Sequence, residues 1–180
     1  MAAAGNSFRK VIGIDIHNNS KLVETELRRR GISNFELFKS DGSSIPIEDS
    51  TVDVVYSFIV LQHVEKFDIF KRYLEETHRV LKPGGIAILY FGRKYSFSAG
   101  RNSKLLYWLD RVLEELVLSR GFKEFPAKVN RTNLVVSLRC ATRTSKDVGF
   151  DVLAKCVSHK NVPDGFSLYG GQHGFILQKQ

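Results

Sequence analysis

The hydrophobic positions of this chain form short apolar runs that alternate with stretches of helical spacing. Residues 52–58 are rich in β-branched and aromatic side chains, as a buried strand is. Apolar side chains then recur every three or four positions over residues 69–81, which predicts a helix capped by Asp68. Pro-Gly-Gly at 83–85 ends that helix, and residues 86–91 are a second apolar run. The order strand, helix, turn, strand predicts a parallel, right-handed βαβ unit.

A similar alternation precedes this unit. Residues 10–14 predict a short strand that ends at Asp15, and residues 18–31 predict a helix with an Asn/Ser cap and a closing glycine. Residues 35–38 predict a second short strand, and the polar residues 40–44 a loop. Because ligands of parallel sheets bind at the carboxyl ends of the strands, Asp15 and the loop at 40–44 are candidate site positions.

After the βαβ unit the sequence becomes basic and aromatic. Residues 92–103 form a glycine-containing loop, and Asn102 or Ser103 caps a helix that Gly121 ends. The apolar residues of that helix predict that it packs on the sheet or on a lid. These residues are Leu105, Leu106, Leu109, Val112, Leu113 and Leu116.

The remaining residues predict a loop, a helix and two strands. Residues 122–131 contain Pro126 and predict a loop, whereas residues 133–144 have an apolar helical face. Residues 149–158 and 172–177 predict strands, and Pro-Asp-Gly at 163–165 predicts the turn between them. Taken together, the order of elements predicts one α/β domain over residues 1–180, with residues 1–9 disordered and residues 92–131 as an insert or lid.

Composition restricts the class of protein. The chain has 180 residues, 43% of them hydrophobic and 26% charged, which is typical of globular domains. No apolar run approaches the roughly 20 residues of a membrane span, and residues 1–10 lack the pattern of a secretory signal. Cys140 and Cys156 have no metal-ligand spacing. These features predict a protein of the reducing cytoplasm.

The positive charge lies entirely in the second half of the chain. The net charge is +8, and residues 92–180 contain 15 basic and 7 acidic residues. The basic residues concentrate at 93–104 and 120–146, which makes an anionic partner possible. The alternative is a solvated basic face without a partner, and no nucleic-acid-binding motif is recognisable.

Three segments together resemble the class I S-adenosylmethionine (SAM)-dependent methyltransferases, of the type 11 kind. They are residues 44–57 (SIPIEDSTVDVVYS), residues 60–64 (VLQHV) and residues 79–85 (RVLKPGG). The last is the most specific, since a helix precedes it and an apolar strand follows it. The resemblance extends back to residues 11–16 and, more faintly, forward to residues 149–180. It implies a Rossmann-like, mostly parallel sheet with helices on both faces and one C-terminal antiparallel strand.

The resemblance also implies a cofactor site for SAM. Asp15 would accept hydrogen bonds from the ribose diol, and Asp41 would accept them from the adenine amino group. Ile16 and Gly42 stand beside these acids, and Phe58 would lie against the cofactor. The residues alone also allow other roles. An Asp after a strand is often a turn former, and Phe58 is as consistent with a core position as with a cofactor contact.

His63 is the candidate catalytic residue. A histidine near the mouth of the cleft is able to take a proton from a substrate nucleophile at neutral pH. The alternative is a structural role, which the matching histidine has in many members of the family. Acceptor specificity is expected in the insert at 92–131, and the acceptor itself is not evident.

One element of the family pattern is missing from the sequence. Members of the family have a strand and a G-x-G-x-G loop before the first acid, whereas only fourteen residues precede Asp15, with glycines at 5 and 13. The chain therefore resembles a methyltransferase without its N-terminal strand and glycine-rich motif. Two functions stay open: methyl transfer from SAM, with weak or absent cofactor binding, and a non-catalytic interaction module that also self-associates.

Overall fold

The computed structural model describes residues 1–94, 97–128, 131–161 and 167–180. The chain divides into two compact units, residues 1–48 and 49–180. The first unit contains helix α1 (Ala2–Gly5), strand β1 (Val11–Asp15), helix α2 (Ser20–Arg29) and strand β2 (Phe35–Lys39). Helix α1 thus lies within the segment expected to be disordered.

The first unit is built around one parallel strand pair. Strands β1 and β2 pair from Val11–Phe35 to Asp15–Lys39. Helix α2 buries Leu27, and Gly31 follows it with φ of 75°, a conformation that favours glycine at a helix end. The strand and helix limits agree with the sequence prediction to within a few residues.

The second unit begins with the predicted βαβ unit. Strand β3 (Val52–Ser57) leads through helix α3 (Phe67–Val80) to strand β4 (Leu81–Gly92), which is parallel to β3. The register shifts between Val52–Leu81 and Val54–Ile86, so the Pro-Gly-Gly turn lies in this irregularity. Lys179 donates from Nζ to the carbonyl oxygen of Leu81 at 2.8 Å, a favourable place for a cation beside a helix C-terminus.

The other elements complete the second unit. They are helix α4 (Lys104–Val117), strands β5 (Phe122–Glu124) and β6 (Leu134–Val136), helix α5 (Leu138–Asp147), and strands β7 (Phe150–Asn161) and β8 (Ser167–Lys179). Strands β5 and β6 form a small antiparallel sheet of their own.

The main sheet has the strand order β3-β4-β8-β7. Strand β8 is antiparallel to both neighbours, so β3, β4 and β7 run in one direction and β8 in the other. This arrangement confirms the predicted α/β fold class with its C-terminal antiparallel strand. The predicted turn at 163–165 lies outside the described residues.

The core of the second unit lies between this sheet and its helices. Phe70 and Leu74 of α3 are fully buried, and Phe91 of β4 contacts both Phe70 and Phe175 through its ring. Burial of aromatic side chains of this size is a major source of stability. The core therefore depends on the apolar run at 86–91 and on the strand at 172–177, both of which the sequence predicted.

Two predicted elements are wrong in part. The helix expected over residues 133–144 is strand β6 followed by α5, whose cap Ser137 accepts a hydrogen bond from the Cys140 amide. The apolar residues at 134–136 fit the side-chain spacing of a helix as well as that of a strand. Antiparallel pairing with β5 makes them a strand. The loop expected at 122–131 correspondingly contains β5.

The predicted cap of α3 is also wrong. Lys66, not Asp68, is the N-cap residue, and its side chain accepts no capping bond. The Phe67 amide donates instead to Glu124 Oε1 at 2.9 Å. A carboxylate from a distant strand thus satisfies an amide at the start of the helix, where negative charge is favourable. Among the described helices, none is long and apolar enough to cross a membrane.

Candidate functional site

Asp15 and Asp41 lie at the carboxyl edge of the β1–β2 pair. Asp15 is the last residue of β1 and is exposed, and Asp41 stands two residues after the end of β2. The Ser40 amide donates to the Asp15 carbonyl at 2.9 Å, which ties the two strand ends together. This placement agrees with the predicted positions of both acids. It does not test whether either acid binds a cofactor.

The Asp41 carboxylate organises the loop that follows β2. Its Oδ1 accepts bonds from the amides of Ser43 and Ser44, both at 2.8 Å, and from their hydroxyls at 3.1 and 3.0 Å. The Ser43 amide, followed by the Ser44 groups, lowers the pKa of Asp41 to about 2. Asp41 therefore does act as a turn former, and a role toward adenine stays a prediction.

Ile16 and Gly42 come close together beside the two acids. Gly42 has φ of 87°, and a Cβ atom added there would meet Ile16 Cγ2 at 3.7 Å. Ile16 is exposed, and the one bond that Asp15 Oδ1 accepts from the described residues is local, from the His17 amide at 2.9 Å. A carboxylate has room for further donors, so this edge combines an acceptor with an apolar surface, as a nucleoside requires. The residues present fit the adenosine half of SAM.

Asp41 is expected to titrate with a pKa of about 2 because its charged form has four hydrogen-bond donors. Since this value lies below the ordinary 3.8, the carboxylate stabilises the loop above pH of about 4, and that stability is lost as the pH falls through about 2. Titration followed by NMR of the carboxyl carbon measures the pKa of Asp41. Ser44→Ala should raise the pKa, whereas Ser33→Ala, before β2, should leave it unchanged. An unshifted Asp41 in the native protein would contradict this loop geometry.

Phe58 follows β3, in the second unit. Its ring contacts Tyr90 edge to face, with centroids 5.0 Å apart, and remains partly exposed. The next residue, Ile59, has φ of 69°, which is strained for a β-branched side chain. No sequence pattern predicted this strain, and such strain is often found at ligand sites. The prediction that Phe58 contacts the cofactor remains untested.

His63 is held by two neighbours. Its Nδ1 lies 2.7 Å from the Arg131 carbonyl oxygen, and its Nε2 lies 3.2 Å from the Gln62 side-chain nitrogen. A carbonyl accepts and an amide NH₂ donates, so the neutral ring carries its proton on Nδ1. Asn133 also donates to the His63 carbonyl at 3.0 Å. These bonds describe a positioned residue, and the predicted role as a base stays a prediction.

Arg93 belongs to the basic residues at 93–104, for which the sequence made an anionic partner possible. It is buried, and it donates to the Gly170 carbonyl at 2.7 Å and to Ser98 Oγ at 2.9 Å. Its Nη1 lies 3.8 Å from buried Asp110. The prediction that an anionic partner contacts this residue is therefore wrong. Arg101 and Lys104 of the same cluster are exposed.

Helix α4 also differs from the prediction. Its carboxylates Asp110 and Glu114 are buried, whereas its large apolar side chains face outward. The sequence contained no local signal for this inversion, because the groups that hold the carboxylates, Arg93 and His173, come from other parts of the chain. Ser103 is the N-cap, as predicted, and accepts a bond from the Leu106 amide.

Comparison with known proteins supports the resemblance. Residues 1–89 match the family model of the methyltransferase domain. A demethylmenaquinone methyltransferase of Geobacillus stearothermophilus is 34% identical over 89 residues, which are 49% of this chain and 37% of that protein. A probable SAM-dependent methyltransferase of Mycolicibacterium smegmatis is 28% identical over 120 residues, 64% of this chain and 44% of that protein. The matches thus span less than half the length of these relatives.

The fold comparison covers nearly the whole chain. A solved SAM-dependent methyltransferase from Methanosarcina mazei superposes with a TM-score of 0.63 at 22% identity, over 98% of this chain and 85% of its own. Residues 1–89 therefore resemble a methyltransferase domain in sequence, and the chain has the Rossmann-like fold of solved SAM-dependent methyltransferases. The resemblance recognised from the sequence is confirmed.

Proposed function

We propose that this chain is a SAM-dependent methyltransferase whose first unit contributes the adenosine subsite. The observation that carries the proposal is the cluster of Asp15, Ile16, Asp41 and Gly42 at the carboxyl edge of β1 and β2. Asp15 receives the ribose hydroxyls, and Ile16 offers an apolar contact to the base. This edge is where parallel sheets bind nucleotides.

The proposed chemistry makes few demands on side chains. SAM supplies an electrophilic methyl group, and the protein holds the acceptor in line with it. Where the acceptor nucleophile carries a proton, His63 accepts that proton at Nε2 after the hydrogen bond from the Gln62 amide breaks, and the carbonyl of Arg131 keeps the other ring nitrogen protonated. The acceptor is a molecule still to be identified.

A second function is favoured by a different observation. The second unit exposes a large apolar helix face. This surface favours a non-catalytic protein that keeps the methyltransferase fold as an interaction surface. Cofactor binding by the chain distinguishes the two functions.

Calorimetric titration with SAM and with adenosine tests the cofactor proposal. We expect weak binding of both at similar affinity, because the contacts available are those of the adenosine half. Asp15→Ala should weaken both at least about tenfold, since it removes hydrogen bonds to a charged acceptor worth about 1.5–3 kcal/mol each. Glu36→Ala, an exposed carboxylate on β2 that pairs with Lys10, is the matched control and should bind normally.

Two other results are informative. Micromolar binding of SAM, much tighter than of adenosine, would show that the protein also holds the methionine half of the cofactor. If neither SAM nor adenosine binds, the proposed adenosine subsite is wrong, and the non-catalytic interaction protein is the remaining function. Equal loss in the Glu36→Ala and Asp15→Ala variants would assign the effect to damage of the strand pair.

A further inference from the structure

The outward face of α4 is an exposed apolar surface of the second unit that methyl transfer does not use. Seven large apolar side chains with the spacing of one helix face are exposed, among them Leu116 at 75%, Leu105 at 67% and Trp108 at 60%. The others are Leu109, Val112, Leu113 and Val117. Contiguous apolar surface of this kind marks an interaction site. We call these seven residues the α4 stripe.

The buried contacts of the opposite face fix this orientation. Asp110 accepts bonds from the amides of Phe97 and Ser98 at 2.9 and 2.8 Å, and from the Ser98 hydroxyl. Glu114 lies 2.8 Å from His173 Nε2, and accepts a bond from the Lys94 amide at 3.1 Å. Turning the stripe inward would break these bonds and expose buried charges. The stripe is therefore a built surface.

A cationic cleft borders the stripe. It lies between α4, α5 and β7, has a volume of about 480 Å³, and is lined by five cations and two acids. The cations are Arg111, Arg139, Arg143, Lys146 and Lys155. Within the described part of the chain, no carboxylate lies within ion-pair distance of any of the five.

Arg111 connects the two features. It lies on α4 three residues after Trp108, so the two side chains are neighbours on the helix surface. Its Nε is buried and has no hydrogen-bond partner among the residues that the structure describes. Glu115, which also lines the cleft, accepts bonds from Ser137 and the Arg139 amide at the start of α5 and is thus already engaged. An apolar stripe and a group of cations that form no ion pair with the described carboxylates therefore lie side by side.

We propose that the α4 stripe and the cationic cleft form a docking surface for a bilayer that contains anionic phospholipids. The stripe lies in the boundary between headgroups and acyl chains, and the cleft takes lipid phosphates. At 14 residues, α4 is about 21 Å long, too short to span and suited to lie in the interface. Tryptophan and leucine on the apolar face are typical of such helices.

Charge complementarity selects this occupant over a second copy of the chain. The whole net charge of +8 lies in residues 92–180, which contain the stripe and the cleft. A dimer through this face would bring two basic surfaces together, whereas an anionic leaflet neutralises each cation. Phosphate oxygens are also the acceptors that arginine pairs with best.

Vesicle binding by the full chain tests the proposal. Trp108 is the only tryptophan, so its fluorescence reports on the stripe alone. With vesicles of phosphatidylcholine and phosphatidylglycerol, we expect co-sedimentation, a blue shift of Trp108 emission and quenching by lipids brominated along the acyl chain. Vesicles of phosphatidylcholine alone should bind at least about tenfold more weakly, and salt should weaken binding to the anionic ones.

Two pairs of variants separate the apolar and the charged contributions. Leu105→Ser with Leu116→Ser should reduce binding about tenfold or more, whereas Leu22→Ser, 73% exposed on α2, should not change it. Arg143→Glu with Lys146→Glu should also reduce binding about tenfold or more. Lys71→Glu with Arg72→Glu makes the same change of net charge on the surface of α3 and should have little effect. Circular dichroism confirms that each variant is folded.

Several results would overturn the proposal. Anionic vesicles that leave Trp108 emission unchanged would exclude insertion of the stripe. A dimer in analytical ultracentrifugation that Leu105→Ser with Leu116→Ser dissociates would make a second copy the occupant. Inorganic phosphate bound in the cleft without vesicle binding would leave a small-anion site only. Equal binding by RNA and vesicles, lost together on charge reversal but not on stripe substitution, would assign the surface to polyanions in general.

Discussion

Asp110→Ala is expected to lower the free energy of unfolding by about 3–5 kcal/mol, because it leaves the buried Arg93 cation without its carboxylate. The variant also removes the acceptor for the amides of Phe97 and Ser98. Since these bonds hold the segment after β4 against α4, the loss should affect the whole helix. Urea denaturation followed by far-ultraviolet circular dichroism measures the change.

Two further variants interpret that result. Asp53→Ala removes an exposed carboxylate that pairs with Lys82 at 2.7 Å, and should cost less than about 1 kcal/mol. Arg93→Met combined with Asp110→Leu removes both buried charges and should recover part of the lost stability. A loss below about 1 kcal/mol in Asp110→Ala would mean that water reaches Arg93, and that α4 is not fixed by this pair.

Phe175→Ala is the second substitution with a large expected effect. Phe175 is fully buried on β8 and packs its ring against Phe91, with centroids 5.0 Å apart. Deleting the ring removes buried apolar area and leaves a cavity where β4 and β8 pair, so a loss of about 3–5 kcal/mol is expected. Thermal and urea unfolding measure it.

Phe97→Ala is the matched control for that substitution. The Phe97 ring is exposed, and only its backbone amide bonds to Asp110, so the change should cost less than about 0.5 kcal/mol. Similar losses in both variants would indicate that Phe97 is covered in solution. A small loss in Phe175→Ala would instead show that neighbouring side chains fill the cavity.

Much of the fold follows from patterns within single segments. The apolar runs at 52–57 and 86–91 and the helical spacing between them predicted the β3-α3-β4 unit correctly. The strand ends at Asp15 and near Asp41 were likewise predicted, because glycines and polar residues mark where those strands stop. These features depend on the backbone and on nearest neighbours, which the sequence states directly.

Residues 134–136 show where such reasoning fails. Their apolar side chains fit a helical face or a strand equally well, and the choice depends on antiparallel pairing with residues 122–124. The start of the helix at Phe67 also depends on a distant residue. The Phe67 amide donates a hydrogen bond to Glu124, which is 57 residues away in the sequence. Contacts of this range carry no periodic signal, so pattern analysis does not detect them.

Patterns in the sequence were sufficient to predict the α/β class, the order of most elements, the methyltransferase resemblance and the positions of the two strand-end acids. They were not sufficient to predict which charged and which apolar side chains are buried in the second half of the chain, because that depends on tertiary contacts. The sequence shows α4 as an amphipathic helix and Arg93 as part of a basic cluster, but not which face is buried. That choice depends on partners from distant segments: Arg93 and His173 hold two carboxylates inside, and the apolar stripe must therefore face outward.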